Sequence, residues 1–262
     1  MLPFERVAHA AARRAGALIR ARHRETQEVT FKSEVDLVTA VDREAERLIL
    51  ETILDAFPGH GIVAEESGAR PGREPFRWYV DPVDGTTNFA HGFPHCAVSI
   101  ALAEGDDARL GVVLDPIRDE LFSAVAGQGA RLNGSPITVS ATPTLDRALV
   151  ATGFPYDRRQ RAGFYLRYWQ AVMERAQDVR RGGSAALDLC WVACGRLDAF
   201  WEWKLHPWDT AAGRLVVAEA GGRVTDFAGA PHRLDGAETA ASNGRVHEAL
   251  LAALAVDGRG HM

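Results

Sequence analysis

The sequence predicts an α+β part followed by an α/β part, and three changes of texture along its 262 residues carry that prediction. Apolar residues first recur at helical spacing, in residues 3–24 and again in 39–57. From Arg77 to about Arg131, short apolar runs alternate with turn residues, as in an antiparallel meander. Beyond about residue 143, strand-like and helix-like stretches mix, which reads as a second α/β unit. The expected division is therefore 1–142 and 143–262.

The first helix places Phe4, Val7, Ala8, Ala11, Ala15, Leu18 and Ile19 on one stripe. The second repeats the pattern through Val41, Ala45, Leu48, Ile49 and Ile53, with Thr39 as N-cap and Pro58-Gly59 as the stop. Strands follow at Cys96–Leu102, Leu110–Leu114 and Leu121–Val125, separated by turns such as Glu104-Gly105-Asp106-Asp107 and Asp115-Pro116. A strand at Ala148–Thr152 precedes helical stretches at 160–177, 184–195 and 208–220.

Composition is that of an ordinary globular protein with a formal net charge of −5. No long basic stripe is present, which argues against nucleic acid as the main ligand. The densest basic stretch, Arg13 to Arg24, alternates with Ala, Leu and Ile and reads as a solvated helix face. No run approaches the roughly 18 apolar residues of a membrane helix, and no signal peptide is expected at Met1-Leu2-Pro3. Cys96, Cys190 and Cys194 are an odd number of thiols in apolar surroundings, which points to free cysteines and a cytoplasmic location.

Chemistry concentrates in residues 78–89. Trp78, Tyr79 and Val80 approach like a strand and deliver Asp81 and Asp84 into a turn forced by Pro82 and Gly85. Thr86, Thr87 and Asn88 follow at once. Two carboxylates that close repel unless one is protonated or a cation separates them. A hard divalent ion such as Mg2+ takes such oxygen ligands. An ordinary turn at a strand end is the plainer reading of this segment alone. Upstream, however, lies Ala64-Glu65-Glu66-Ser67, and far downstream Pro207-Trp208-Asp209-Thr210-Ala211-Ala212-Gly213 opens an apolar helical pattern. Taken singly, Asp209 suits any helix start and Glu65 and Glu66 any acidic loop.

These three segments in this order resemble the inositol monophosphatase family of Mg2+-dependent, Li+-sensitive phosphatases. The likeness runs from Lys32-Ser33-Glu34-Val35-Asp36-Leu37-Val38-Thr39-Ala40-Val41-Asp42 to Ala241-Ser242-Asn243-Gly244. It implies a layered αβαβα sandwich, with metals at the junction of the two halves. It also implies hydrolysis of a small-molecule phosphate monoester, two or three Mg2+ ions (with Mn2+ as a substitute) and a homodimer. A first ion would take Glu65, Asp81 and the carbonyl of Val83. A second would take Asp81, Asp84 and Asp209, and a third would lean on Glu65 and water. Thr86, linked to Asp42, would orient and help deprotonate the attacking water, and the Gly85 and Thr86 amides would cradle phosphate. No phosphoenzyme is expected. Lys32 matches a family position beside the weaker metal and a mobile loop, or is an ordinary surface lysine. Glu66 and Asp36 are expected to be structural, and His95 and His206 to pack or hydrogen-bond.

Substrate choice falls to the second half. Gly182-Gly183-Ser184-Ala185 opens a helix with small residues, Ser184 serving as N-cap, so a hydroxylated ring can approach the backbone. Glu202 aligns with the family glutamate that binds inositol hydroxyls, which favours inositol 1-phosphate over histidinol phosphate. Fructose 1,6-bisphosphate and 3′-phosphoadenosine phosphates are the substrates of other branches. Two departures stand out. Lys204 replaces a small residue, either to meet a second acidic group on a larger substrate or to point to solvent, and Trp201 and Trp203 make the rim bulkier. Two non-enzymatic readings remain beside this one: a regulatory protein docking on the transcription machinery, as some bacterial relatives do, and a metal or sugar-phosphate binder without turnover.

Overall fold

The computed structural model describes residues 1–25, 29–31 and 37–256. Its first part runs α1 (Pro3–Arg22), β1 (Val29–Phe31), β2 (Leu37–Thr39) and α2 (Ala40–Ala56). There follow β3 (Gly61–Ala64), β4 (Gly68–Arg70), β5 (Phe76–Asp84), α3 (Thr86–Ala90), β6 (Ala97–Glu104), β7 (Asp107–Asp115), β8 (Glu120–Val125), β9 (Ala130–Leu132) and β10 (Ser135–Pro136). The remainder runs β11 (Leu149–Thr152), α4 (Arg158–Met173), β12 (Asp178–Arg180), α5 (Ala185–Ala193), β13 (Ala199–Trp203), α6 (Pro207–Glu219), β14 (Arg223–Thr225), β15 (Glu238–Ser242) and α7 (His247–Leu254).

Eight strands form the larger sheet in the order β10-β9-β8-β7-β6-β5-β3-β4. From β5 to β10 it is the expected meander of antiparallel neighbours. Only β3 lies parallel to its neighbour β5. Five strands form the smaller sheet, β12-β11-β13-β15-β14, parallel at β12-β11-β13 and antiparallel beyond. A separate antiparallel pair joins β1 to β2.

Strand alternation sends the side chains of each sheet to opposite faces, and three cores result. Trp78, Val80, Val98, Ile100 and Val112 bury one face of the large sheet against Ala8, Ala12, Ile19, Ala45, Ile49 and Ile53 of α1 and α2. Tyr79, Ala101, Val113 and Phe122 bury the other against Leu187, Leu189, Ala212 and Val216 of α5 and α6, which also cover Ala151, Phe200 and Ala241 of the small sheet. Val150, Ala199, Trp201, Trp203 and Ala240 then meet Tyr165, Tyr168 and Val172 of α4 and Leu250 and Leu254 of α7. The layers are thus helix, sheet, helix, sheet, helix. Each fully buried large side chain, such as Trp78 or Phe200, contributes about 2–3 kcal/mol.

Local signals explain most boundaries. Thr39 is the N-cap of α2, its Oγ1 accepting from the Val41 amide at 3.2 Å. Ser184 caps α5 in the same way, through the Leu187 amide at 3.4 Å. The basic face of α1 is solvated as expected, with Arg14 on Thr52 at 2.6 Å and Arg20 on Asp119 at 3.0 Å. One stretch differs: the helix expected over 160–177 ends at Met173, and residues 178–180 form β12. Beyond Val172, Met173 is exposed and the rest of the segment is polar apart from Ala176, so little holds a further helical turn against the core.

Candidate active site

Strand β5 ends in the Asp81-Pro82-Val83-Asp84 run, and its register against β6 shifts there: Asp81 opposes Ser99, but Asp84 opposes Ala97. That irregularity at the end of β5 sets Asp81 and Asp84 close together, near enough for their charges to act on each other. Gly85 then reverses the chain at φ 92°, the left-handed region that glycine tolerates best. A Cβ there would sit 3.0 Å from the His95 carbonyl and 3.1 Å from that of Gly183. Asn88 ties this turn to the start of α5, its Nδ2 donating to the carbonyls of His95 at 2.8 Å and Gly182 at 3.0 Å. On the far side, Ser99 Oγ donates to the Trp208 carbonyl at 3.0 Å and fixes the first turn of α6, where Asp209 stands.

Four carboxylates meet as a result. Asp81 is buried and held well above the usual carboxylate range, by burial first and then by the charges of Glu65, Asp84 and Asp209. Burial raises Asp84 to about 6 against the opposing hydrogen bonds from Ser184 and Ala186. Asp209 is likewise pushed well up by burial and by Asp84. Among the described residues no three His, Cys, Asp or Glu side chains stand ready to enclose one ion, and one oxygen of each of three of these carboxylates is engaged by protein donors. Asp81 Oδ1 accepts from the Val83 amide at 3.0 Å. Asp84 Oδ2 accepts from Ser184 Oγ at 2.6 Å and the Ala186 amide at 2.7 Å, and Asp209 Oδ2 from the His206 amide at 2.6 Å. The donor chemistry nonetheless fits a hard cation: all oxygen, no imidazole or thiolate, and mutual repulsion that a cation would relieve.

Thr86 and Asp42 meet, as the resemblance implies. Thr86 Oγ1 lies 2.9 Å from Asp42 Oδ1 and 2.9 Å from the Val83 carbonyl, both acceptors for its proton. The other oxygen of Asp42 accepts from Thr39, at 3.0 Å from the amide and 2.5 Å from the hydroxyl. Burial raises the Asp42 carboxyl to about 6.

A cavity of about 500 Å3 opens from this cluster. Asp84, Gly85, Thr86, Gly183, Ala185, Glu202 and Asp209 are among the residues that line it. Glu202 is buried, and burial lifts it to about 8 against the pull of Arg181. Below that pH it is an acid that can donate as well as accept. Gly153 makes room for it, since a Cβ there would lie 2.2 Å from either carboxyl oxygen.

Several expectations need correction or addition. Lys204 is exposed and lines the cavity with its ammonium 2.8 Å from Asp157, whose other oxygen accepts from Tyr165 at 2.6 Å, a partnership the sequence did not suggest. Trp201 is not at the rim, because strand alternation buries it with Trp203 on the α4 side of β13. Trp203 does line the cavity, yet packs edge-on against Tyr168 and Phe227. His95 packs as expected, edge-on to Trp191, and burial lowers it to about 4; His206 stacks on Trp208. Glu66 is structural to the extent that its amide donates to Glu46 at 2.8 Å. Lys32 and Asp36 lie outside the described residues. Sequence reasoning missed Glu46, Arg158, Arg181 and the loop 153–157; the one local signal was Gly153-Phe154-Pro155 at a strand end. All three cysteines are free, and among the described residues no helix is long and apolar enough to cross a membrane.

Comparison with known proteins agrees with this geometry. Residues 1–258 match the inositol monophosphatase family. The chain is 46% identical over 256 residues to the Nus factor SuhB of Escherichia coli strain K12, covering 96% of each. It is also 46% identical over 243 residues to an inositol-1-monophosphatase of Synechocystis, covering 92% of this chain and 85% of that one. Among solved structures it resembles the extragenic suppressor protein suhB from Bartonella henselae, with a TM-score of 0.93 at 41% identity over 97% of this chain and 98% of that one. It resembles the inositol monophosphatase from Anabaena with a TM-score of 0.88, again at 41% identity, covering 96% and 94%. Sequence, fold and the meeting of the three motif segments thus agree, and the chain belongs to the inositol monophosphatase family.

Proposed function

We propose that this chain is a Mg2+-dependent phosphomonoesterase that hydrolyses inositol 1-phosphate to inositol and phosphate. The observation that carries the reading is the convergence of Glu65, Asp84 and Asp209 on Asp81, beside a cavity that Asp84, Asp209 and Glu202 line. Glu65, Asp81, Asp84, Asp209 and the Val83 carbonyl would hold the ions. When bound, Mg2+ neutralises the phosphate dianion and acidifies a water.

The protein's own groups do the rest. Asp42, ionised above about pH 6, accepts the Thr86 proton, which leaves the hydroxyl lone pairs facing an incoming water. The Gly85 and Thr86 amides receive phosphate oxygens at the turn. Glu202 meets the polyol hydroxyls, and Gly183, Ser184 and Ala185 let the ring approach the start of α5. The name inositol-1-monophosphatase borne by the Synechocystis relative supports the substrate. A homodimer, to be measured by sedimentation, and a reducing cytosolic setting, supported by the three free thiols, complete the reading.

The test is phosphate release from inositol 1-phosphate, histidinol phosphate, fructose 1,6-bisphosphate and 3′-phosphoadenosine 5′-phosphate, with Mg2+ and with EDTA. Mg2+-dependent release chiefly from inositol 1-phosphate is the expected result. Preference for another ester would keep the metal chemistry and overturn the substrate. Asp84→Asn and Asp209→Asn should each cut turnover by several orders of magnitude; near-normal rates in either would refute the ligand set assigned to the second ion. A second reading, a role in transcription, is favoured by the name Nus factor on a relative 46% identical. It requires the Asp84→Asn protein to bind purified transcription complexes as tightly as the wild type, and no binding by either protein removes it.

A further inference from the structure

Glu46 lies one helical turn beyond Asp42 on the buried face of α2, and positions four apart share a face. Asp42 reaches down to Thr86. Glu46 reaches the loop that follows β3, its Oε2 accepting from the Glu66 amide at 2.8 Å and its Oε1 from the Ser67 amide at 2.9 Å. The residue just before this pair is Glu65, whose own amide donates to the Val80 carbonyl at 3.1 Å. The backbone around Glu65 is therefore held from two sides, by β5 at one edge and by α2 at the other. Charge-assisted bonds from two consecutive amides to one carboxylate fix the tilt of the peptide as well as its position.

We infer that Glu46 is a positioning residue: it sets the backbone from which Glu65 meets Asp81, so that one helix, α2, places both the Thr86 hydroxyl and the Glu65 carboxylate. This rests on the metal-dependent reading above. The competing account is that Glu46 only stabilises a turn. The two differ in what happens to cation binding, since loss of the groups that orient metal ligands typically weakens metal affinity about 10–100-fold.

The experiment is calorimetric Mn2+ binding to the purified full chain, well below its melting temperature, for wild type, Glu46→Gln and Glu46→Ala. Melting curves and hydrogen–deuterium exchange across residues 65–67 accompany each. Gln keeps the volume but turns an N–H2 toward one of the two amides, so it loses one bond and faces a repulsion. A Kd about tenfold or more weaker in Glu46→Gln, with faster exchange at 66 and 67, is the expected result. Mn2+ affinity within about twofold of wild type, whatever the melting temperature does, would overturn the positioning role. If Glu46→Ala does not fold, Glu46→Gln decides the matter. Wild-type protein that takes up no Mn2+ would bring down the metal-dependent reading and this inference with it, whereas normal wild-type binding with unaltered variants sinks the role of Glu46 alone.

Discussion

Replacing Glu202 by Gln should stabilise the metal-free protein at alkaline pH and change little near pH 5. Burial lifts this carboxyl from an ordinary 4.5 to about 8 in the folded chain. Between those values the folded protein holds a proton that the unfolded chain releases. Stability therefore falls as pH rises through that window, and the full effect is present above about pH 8. A difference of 3.5 pKa units at about 1.4 kcal/mol each sets an upper bound of about 5 kcal/mol. The pull of the Arg158 and Arg181 guanidinium groups is already contained in that value, and relaxation of the site toward water leaves roughly 2 kcal/mol. Gln has the shape of the protonated acid and cannot ionise, so the variant lacks this slope. Urea unfolding in EDTA, at about pH 5 and about pH 8.5, measures it directly. The variant should gain roughly 2 kcal/mol over wild type between the two conditions. Parallel pH dependence in both proteins, or a larger deficit for the variant at the higher pH, would refute the reasoning.

Three further outcomes are expected. Thr86→Val and Asp42→Asn should each lower kcat on p-nitrophenyl phosphate by about 10²–10⁴-fold; the wild-type rate should fall as pH drops through about 6, where Asp42 takes up its proton, and Asp42→Asn should lose that limb of the pH–rate profile. Gly85→Ala, forced to φ 92° with its Cβ 3.0 Å from the His95 carbonyl, should cost about 1–3 kcal/mol in denaturant unfolding and take phosphate release down with it. Trp203→Ala should lose about 3–5 kcal/mol in the same assay, because it empties the space between Tyr168, Phe164 and Phe227. Unchanged unfolding midpoints for these last two would contradict the packing described.

What could be read in advance was local. The cap at Thr39, the turn at Pro82 and Gly85, and the meander from β5 onward each depend on residues close in sequence, and each forms where expected. The resemblance supplied the company that Asp42 and Asp209 keep, which no local pattern states. Glu46 escaped notice because an acid at that place in a helix looks like any solvated charge; only the return of the chain at Glu66 and Ser67 gives it partners. Trp201 was misjudged for a related reason. Two tryptophans flanking a site glutamate look like its neighbours, but on a strand the adjacent residues face away from it. Arg181 gave no signal at all, since its position at the cavity depends on how β12 and α5 are joined in space. Lys204 was equally opaque, its partner Asp157 lying 47 residues away.

The bonds that build the site are long in sequence: 44 residues separate Thr86 from Asp42, 94 separate Asn88 from Gly182, 100 separate Ser184 from Asp84 and 109 separate Ser99 from Trp208. Closing loops of that size costs entropy before any contact repays it, so such contacts form late and slow the search for the native chain. Nothing resembling the site can exist on a nascent chain until α6 has left the ribosome, because Asp209 and its anchor on Ser99 arrive last. Regain of cation binding during refolding would therefore track the final docking of α6 between the two sheets, and it would lag behind any probe of helix content.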